Sequence, residues 1–193
     1  MDAPILYIFA GANGSGKTTV AKLFCKTHGI AFINADEIAK MLAGPEGNVD
    51  DFKVPAGREF LRQLKEKNPL RKTFAIESTL SGLTLKKHIL KAKQIGYKIH
   101  LLYLFLDSEN MNVVRVHTRV LQGGHNIPEI DIRRRYRTSR QRFWAVYRPL
   151  CDFWQLYFNA DSPDLIAMGD RDQCRIMDTD RFNQFRSEIN DES

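Results

Sequence analysis

The sequence predicts an α/β fold in which a parallel sheet is covered by helices on both faces. Two observations predict it. Short apolar runs alternate with helical patterns along most of the 193-residue chain, and the first run passes straight into a glycine loop and a helix. The length suits one domain over residues 1–193, with no repeat and no linker composition to divide it.

The runs that read as strands are ILYIFA (5–10), AFINA (31–35), TFAIES (73–78) and IHLLYLFL (99–106), followed by the weaker WQLYFNA (154–160) and DLIAMG (164–169). Each is rich in aliphatic or aromatic residues and too short to be a helix, as expected of strands buried on both faces,. Helical patterns lie between them, near 17–28, 37–43, 54–67, 83–95, 109–121 and 129–148. A final polar helix is expected from about Asp178, fraying before the terminal NDES,. All strand C-termini of a parallel sheet point to one edge, and ligands bind in the crevice there. The glycine loop, Asn34-Ala35-Asp36, Glu77-Ser78-Thr79, Asp107 and Asn159 should therefore converge.

No N-terminal apolar segment reaches the ~20 residues that span a bilayer, and no signal-like core follows a basic start, so a cytoplasmic, membrane-free location is the expectation. Cys25, Cys151 and Cys174 are widely spaced and lack a CxxC pair or a nearby histidine pair. They read as buried or incidental thiols. The net charge is +6, and nine arginines against Glu129 and Asp131 give +7 within residues 115–148, leaving −1 for the rest. A sequence-general nucleic-acid binder spreads Lys and Arg over a face, whereas an arginine cluster suits bidentate clamping of phosphates.

Gly11, Gly16, Lys17 and Thr18 match G-x-x-x-x-G-K-[ST], between a strand and a helix as that motif requires,. A P-loop NTPase with kinase-like features follows. The backbone N–H groups of Gly11, Ala12, Asn13, Gly14, Ser15 and Gly16 form a concavity for phosphates, and the following helix adds its positive end. Lys17 neutralises the outer phosphates, Thr18 ligates Mg²⁺, and Thr19 is an ordinary first-turn residue or stands near the alpha phosphate. The cofactors implied are ATP (or GTP) and magnesium.

At the strand ends, Asp36 is the candidate base that takes the proton of an attacking hydroxyl. The alternative is that Asp36 or Asn34 caps the next helix. Glu77 closes an apolar strand, where an unpaired carboxylate is costly, so it needs a partner: substrate hydroxyls, magnesium-bound water or an arginine, against a purely structural ion pair. Thr79 and Ser81 add hydroxyls or close the turn at Gly82. Asp107 ends IHLLYLFLD in the manner of a magnesium-holding acid, or of any strand entering a turn.

Arg115 and Arg119 share a helix face. LQGGHNIPE then supplies two glycines and a Pro128 helix start before Arg133-Arg134-Arg135-Tyr136-Arg137. This reads as a lid over about 119–140 that swings arginines onto bound nucleotide. Arg119, Arg134 and Arg137 are the arginines expected in the site, against solvated or acid-paired roles. His125 reads as a loop-shaping side chain rather than a base.

GANGSGKTT, NADEIA, AGREF, FAIESTLSG, GYKIHLLYLFL, RVHTRVLQGGHNIPE and IRRRYRTS occur in that order. With them the chain resembles the zeta-toxin-like P-loop kinases over about residues 4–160, in the branch often labelled predicted ABC-type ATPase. The resemblance implies nucleotide-dependent phosphorylation of a hydroxyl, with Asp36 as base, Glu77 contacting substrate, and lid arginines at Arg119 and within 133–137. It also implies a small antitoxin partner, since characterised zeta toxins phosphorylate UDP-N-acetylglucosamine and are neutralised by one. The branch commonly ends strand five with an Asp-Asn-Ser-like sequence, where this chain has Phe158-Asn159-Ala160. Asn159 is thus the nucleotide-side contact expected there. The segment 44–57 is shorter than the toxins' substrate region, so their sugar does not transfer; Arg58 in the AGR triplet faces this pocket or the helix surface. The expected activity is phosphotransfer to a small molecule or nucleotide sugar, with an ATPase or nucleotide-gated interaction protein and a polynucleotide 5′-hydroxyl kinase as alternatives.

Overall fold

The computed structural model describes residues 3–67, 71–124 and 126–190. Strand β1 (Ile5–Ala10) leads through the glycine loop into α1 (Lys17–His28). Then come β2 (Ala31–Ile33), α2 (Ala35–Ala43), α3 (Lys53–Lys67), β3 (Phe74–Ser78), α4 (Thr84–Gln94), β4 (Lys98–Phe105) and α5 (Glu109–Leu121). The chain finishes with α6 (Glu129–Arg142), β5 (Phe153–Asn159), β6 (Pro163–Gly169), β7 (Cys174–Ile176) and α7 (Thr179–Asn190).

Among the described residues, seven strands form one sheet in the order β2-β3-β1-β4-β5-β6-β7. The first five are mutually parallel, as expected. Side chains alternate across it: Leu6, Ile8 and Ala10 enter the larger core, while Phe9 packs on the other face with Ala21 and Cys25 of α1,. Both faces are therefore buried, which is why the strand sequences run continuously apolar.

Three expectations need correction. The run 164–169 adds antiparallel to β5, and β7, which the sequence did not announce, adds antiparallel to β6. Connections of three and four residues are far too short for a parallel crossover, which needs a dozen or more,. The helix expected over 129–148 ends at Arg142 and widens into a π-turn at Phe143–Tyr147, then a 3₁₀ turn at Arg148–Leu150. Pro149 cannot continue an α-helix, and Phe143 and Tyr147 are fully buried there,. Finally, α7 is not merely a polar tail. Phe185 is fully buried, Phe182 and Ile189 pack against the core, and Glu188 reaches α6.

That last contact fixes α6. Arg140 is 2% exposed and its guanidinium pairs with Glu188 at 2.7 Å, donates to the Leu106 carbonyl, and lies 4.1 Å from the Tyr136 ring. The Tyr136 hydroxyl donates to Glu188 at 2.6 Å. Burying a cation this deeply is tolerable only with a charge partner, which Glu188 supplies, and the Leu106 carbonyl adds a hydrogen bond,. Among the described residues, no helix is long and apolar enough to cross a membrane.

Phe185→Ala should lower the unfolding free energy by about 3–5 kcal/mol in urea denaturation. A change below about 1 kcal/mol, the range of surface substitutions, would return α7 to the status of a frayed tail.

Candidate active site

The glycine loop is shaped by sterics before charge. Gly14 and Gly16 both take φ 83°, and a Cβ at Gly16 would stand 2.2 Å from the Asn159 amide nitrogen,. Gly16 is also the N-cap of α1 and supplies no side-chain cap. The first N–H groups of the helix are thus left to whatever anion approaches. The loop is held from behind: Asn159 Nδ2 donates to the Ser15 carbonyl at 2.7 Å, and Asn112 Nδ2 to the Asn13 carbonyl. Asn159 therefore spends its amide bracing the loop, and its own carbonyl accepts from Arg115 at 2.8 Å.

The β1–β3 register pairs Phe9 with Glu77 and Ala10 with Ser78, and Ile33 of β2 pairs with Ile76. This places the strand-three acid beside both the loop and the end of β2. Glu77 accepts from Thr18 Oγ1 at 3.0 Å and from Asn34 Nδ2 at 2.7 Å, and its carboxylate lies 3.6 Å from Lys17 Nζ. Lys17 itself donates to the Ala12 carbonyl at 3.1 Å. Burial raises the Glu77 carboxyl above its ordinary value, Lys17 and Thr18 oppose that shift, and Asp36 adds to it.

Asn34, not Asp36, caps α2: its Oδ1 accepts from the N–H groups of Asp36 at 2.8 Å and Glu37 at 3.4 Å. The Asp36 carboxylate is released from capping and lines two cavities. One, of about 370 Å³, is bounded by Lys17, Glu77, Thr79, Lys53, Phe60 and Arg135. The other, of about 400 Å³, is bounded by Thr18, Thr19, Lys22, Arg119 and the Gly123–Gly124 turn. Asn34 and Asp36 are the residues common to both.

The arginines separate. Arg119 lines the second cavity with the loop threonines. Arg134 and Arg137 point elsewhere: their side chains are 57% and 59% exposed, with Arg134 paired to Asp131 and Arg137 to Glu109. They line a depression on the outer face of α6 with Arg133. The guanidinium that enters the first cavity is Arg135, which donates to Asn13 Oδ1 at 3.2 Å. The signal was present in the sequence: Ile132, Tyr136 and Ser139 mark the inward stripe of α6, and Arg135 falls within it at i+3 from Ile132 and i−4 from Ser139. Because that stripe is buried, a swing of the whole helix would pull Ile132, Tyr136, Ser139 and Arg140 out of the core.

Arg58 is exposed and lines neither cavity, whereas Lys53 and Phe60 of the same helix do. Asp107 borders neither cavity; its carbonyl accepts from Tyr136. Thr79 lines the first cavity and its hydroxyl is 2.7 Å from that of Ser81. His125 lies outside the described residues. Thr18 and Glu77 offer two hard oxygens 3.0 Å apart beside the phosphate loop. That suits magnesium, which takes one or two protein oxygens and completes its octahedron with phosphates and water.

The Zeta toxin family model matches residues 1–155. The chain belongs to the Zeta toxin family. The match ends at Gln155 within β5, so β6, β7 and α7 lie beyond it. A Haemophilus influenzae relative described as an uncharacterized protein is 31% identical over 66% of this chain and 89% of its own length. A protein of Archaeoglobus fulgidus called cytidylate kinase is 27% identical over 77% of this chain and 79% of its own. Among solved structures, the AvrRxo1-ORF1:AvrRxo1-ORF2 complex determined with ATP aligns with a TM-score of 0.77 at 17% identity, over 96% of this chain and 64% of that one. The chain of the PezAT toxin–antitoxin system of Streptococcus pneumoniae aligns with a TM-score of 0.65 at 15% identity, over 99% and 88%.

The unfolded chain ionises the Glu77 carboxyl near 4.5, and the folded protein holds that proton more tightly. Its contribution to stability is full below that pH and is lost as pH rises through the folded pKa. Glu77→Gln lacks this loss. Its stability relative to the unsubstituted protein should therefore climb as the pH is raised from about 4 in urea denaturation; a pH-independent difference would contradict the assignment.

Proposed function

We propose that the protein transfers the terminal phosphate of ATP, or of GTP, to a hydroxyl of a small molecule or nucleotide sugar. The observation that carries this reading is the placement of Asp36. It borders both cavities at the mouth of the phosphate loop and is freed from helix capping by Asn34.

The donor's phosphates lie along the loop N–H groups and the N-terminus of α1, with Lys17 moving from the Ala12 carbonyl to phosphate oxygens. Arg119 faces the donor from the second cavity. Magnesium, held by Thr18 and Glu77 directly or through water, would neutralise donor charge. The acceptor occupies the first cavity, where Asp36 takes its hydroxyl proton and Thr79 contacts it. Arg135, braced against Asn13, is placed to stabilise the charge that develops on the transferring group,. Arg135 takes this role in preference to Arg134 and Arg137, whose guanidiniums lie on the outer face. The complexes of the AvrRxo1 and PezAT relatives support an antitoxin partner for this chain as well.

Asp36→Asn should reduce phosphotransfer by about 10²–10⁴-fold while leaving ATP affinity within about threefold. The measurement is transfer of label from γ-phosphate-labelled ATP to a metabolite extract, beside equilibrium ATP binding. Label recovered only as inorganic phosphate, at equal rates in both proteins, would sink the kinase reading in favour of an ATPase.

A further inference from the structure

Of the chain's 12 glycines, ten have a conformational or steric reason to be glycine. Seven take positive φ, and at Gly47, Gly124 and Gly169 a Cβ would stand within 2.7 Å of a backbone oxygen. Gly57 and Gly82 have neither reason: their φ is ordinary, and a Cβ at either would meet nothing within 4 Å. Gly57 is the more telling, since it sits inside α3, where glycine costs about 1 kcal/mol relative to alanine,. Both glycines border the same open space. They line a single annex of about 220 Å³ with Phe60, Leu61, Leu85 and Ser78, and none of its lining residues is ionisable.

Phe60 and Ser78 also line the 370 Å³ cavity beside Asp36. The annex therefore adjoins that cavity. Its far wall is held in place: Leu80, 1% exposed, takes φ 54°, its N–H donates to the Ser78 hydroxyl at 3.1 Å, and the Gly82 carbonyl accepts from the Tyr147 hydroxyl. A non-glycine residue in the left-handed region persists only where its surroundings impose it. A cavity of roughly 150 Å³ is enough to hold benzene, so the annex accommodates a ring-sized uncharged group.

We propose that the annex kept open by Gly57 and Gly82 is a specificity subsite for an apolar, ring-sized part of the phosphate acceptor. The acceptor is then an alcohol carrying such a group close to its hydroxyl, and a bare polyol leaves the annex unused. This rests on the phosphotransfer reading for the word acceptor, but occupancy of the annex does not.

The test uses the full chain and Gly57→Leu, which fills the annex and raises helix propensity, so α3 is retained. Gly82→Val fills it from the other wall. Benzyl alcohol and glycerol serve as probes, read by ligand-observed NMR for binding and by γ-phosphate-labelled ATP for transfer. Benzyl alcohol should bind the unsubstituted protein and lose about tenfold or more in affinity in both variants, with ATP binding unchanged. Transfer to benzyl alcohol should exceed transfer to glycerol, and that preference should vanish in both variants. Failure of benzyl alcohol to bind, or equal binding in all three proteins, overturns the subsite. Transfer to benzyl alcohol that survives both substitutions overturns it too. Loss of binding in the variants with no alcohol labelled by the unsubstituted protein upholds the subsite and overturns the phosphotransfer reading instead.

Discussion

The site depends on one carboxylate held at the end of β3. Glu77 sits in a largely apolar strand, and its oxygens are met by Thr18, Asn34 and the Lys17 ammonium. Burial of that charge is expensive unless donors surround it, and the donors come from the start of α1 and the end of β2,. The parallel register of β1, β2 and β3 is what brings them together: a shift of one residue would turn Glu77 to the opposite face of the sheet. The same contacts free Asp36, because Asn34 satisfies the start of α2 with its carbonyl oxygen while its amide reaches Glu77. Two acids at neighbouring strand ends thus acquire different surroundings and are suited to different tasks.

The sheet edge and the phosphate loop were legible because their signals are local. A glycine pattern fixes backbone shape, and continuous apolar runs fix parallel pairing. Asp36, Glu77, Thr79 and Arg119 line the cavities beside the loop because a strand end or a helix face next to it points at that edge. What escaped depended on contacts distant in sequence. Choosing among Arg133 to Arg137 required following the Ile132, Tyr136, Ser139 stripe, whose first residue packs on Val113 and Val116 of α5 and whose tyrosine reaches Glu188 of α7. The capping role went to Asn34 rather than Asp36 because Glu77, from another strand, orients the Asn34 amide. The antiparallel edge was hidden because DLIAMG reads like the parallel strands before it, and only the brevity of its connection tells them apart.

The arginine helix is better described as a wall than as a swinging lid. Its inward stripe is buried in the core, and a paired guanidinium pins its C-terminal half to α7. Beyond α5, Gly123 takes a left-handed conformation and borders the cavity that Arg119 lines. Arg135 needs no large motion to face the phosphate loop, since it already contacts Asn13. Such preorganisation is what electrostatic stabilisation of a transferring group requires.

The central claim is a division of labour: Glu77 with Thr18 serves the magnesium end, and Asp36 serves the acceptor end. The direct measurement is the magnesium dependence of ATP binding in the unsubstituted protein, Glu77→Gln and Asp36→Asn. The account predicts that Glu77→Gln raises the magnesium concentration at half-saturation by about tenfold or more, while Asp36→Asn leaves it unchanged. The reverse pattern, or equal shifts in the two variants, would contradict it.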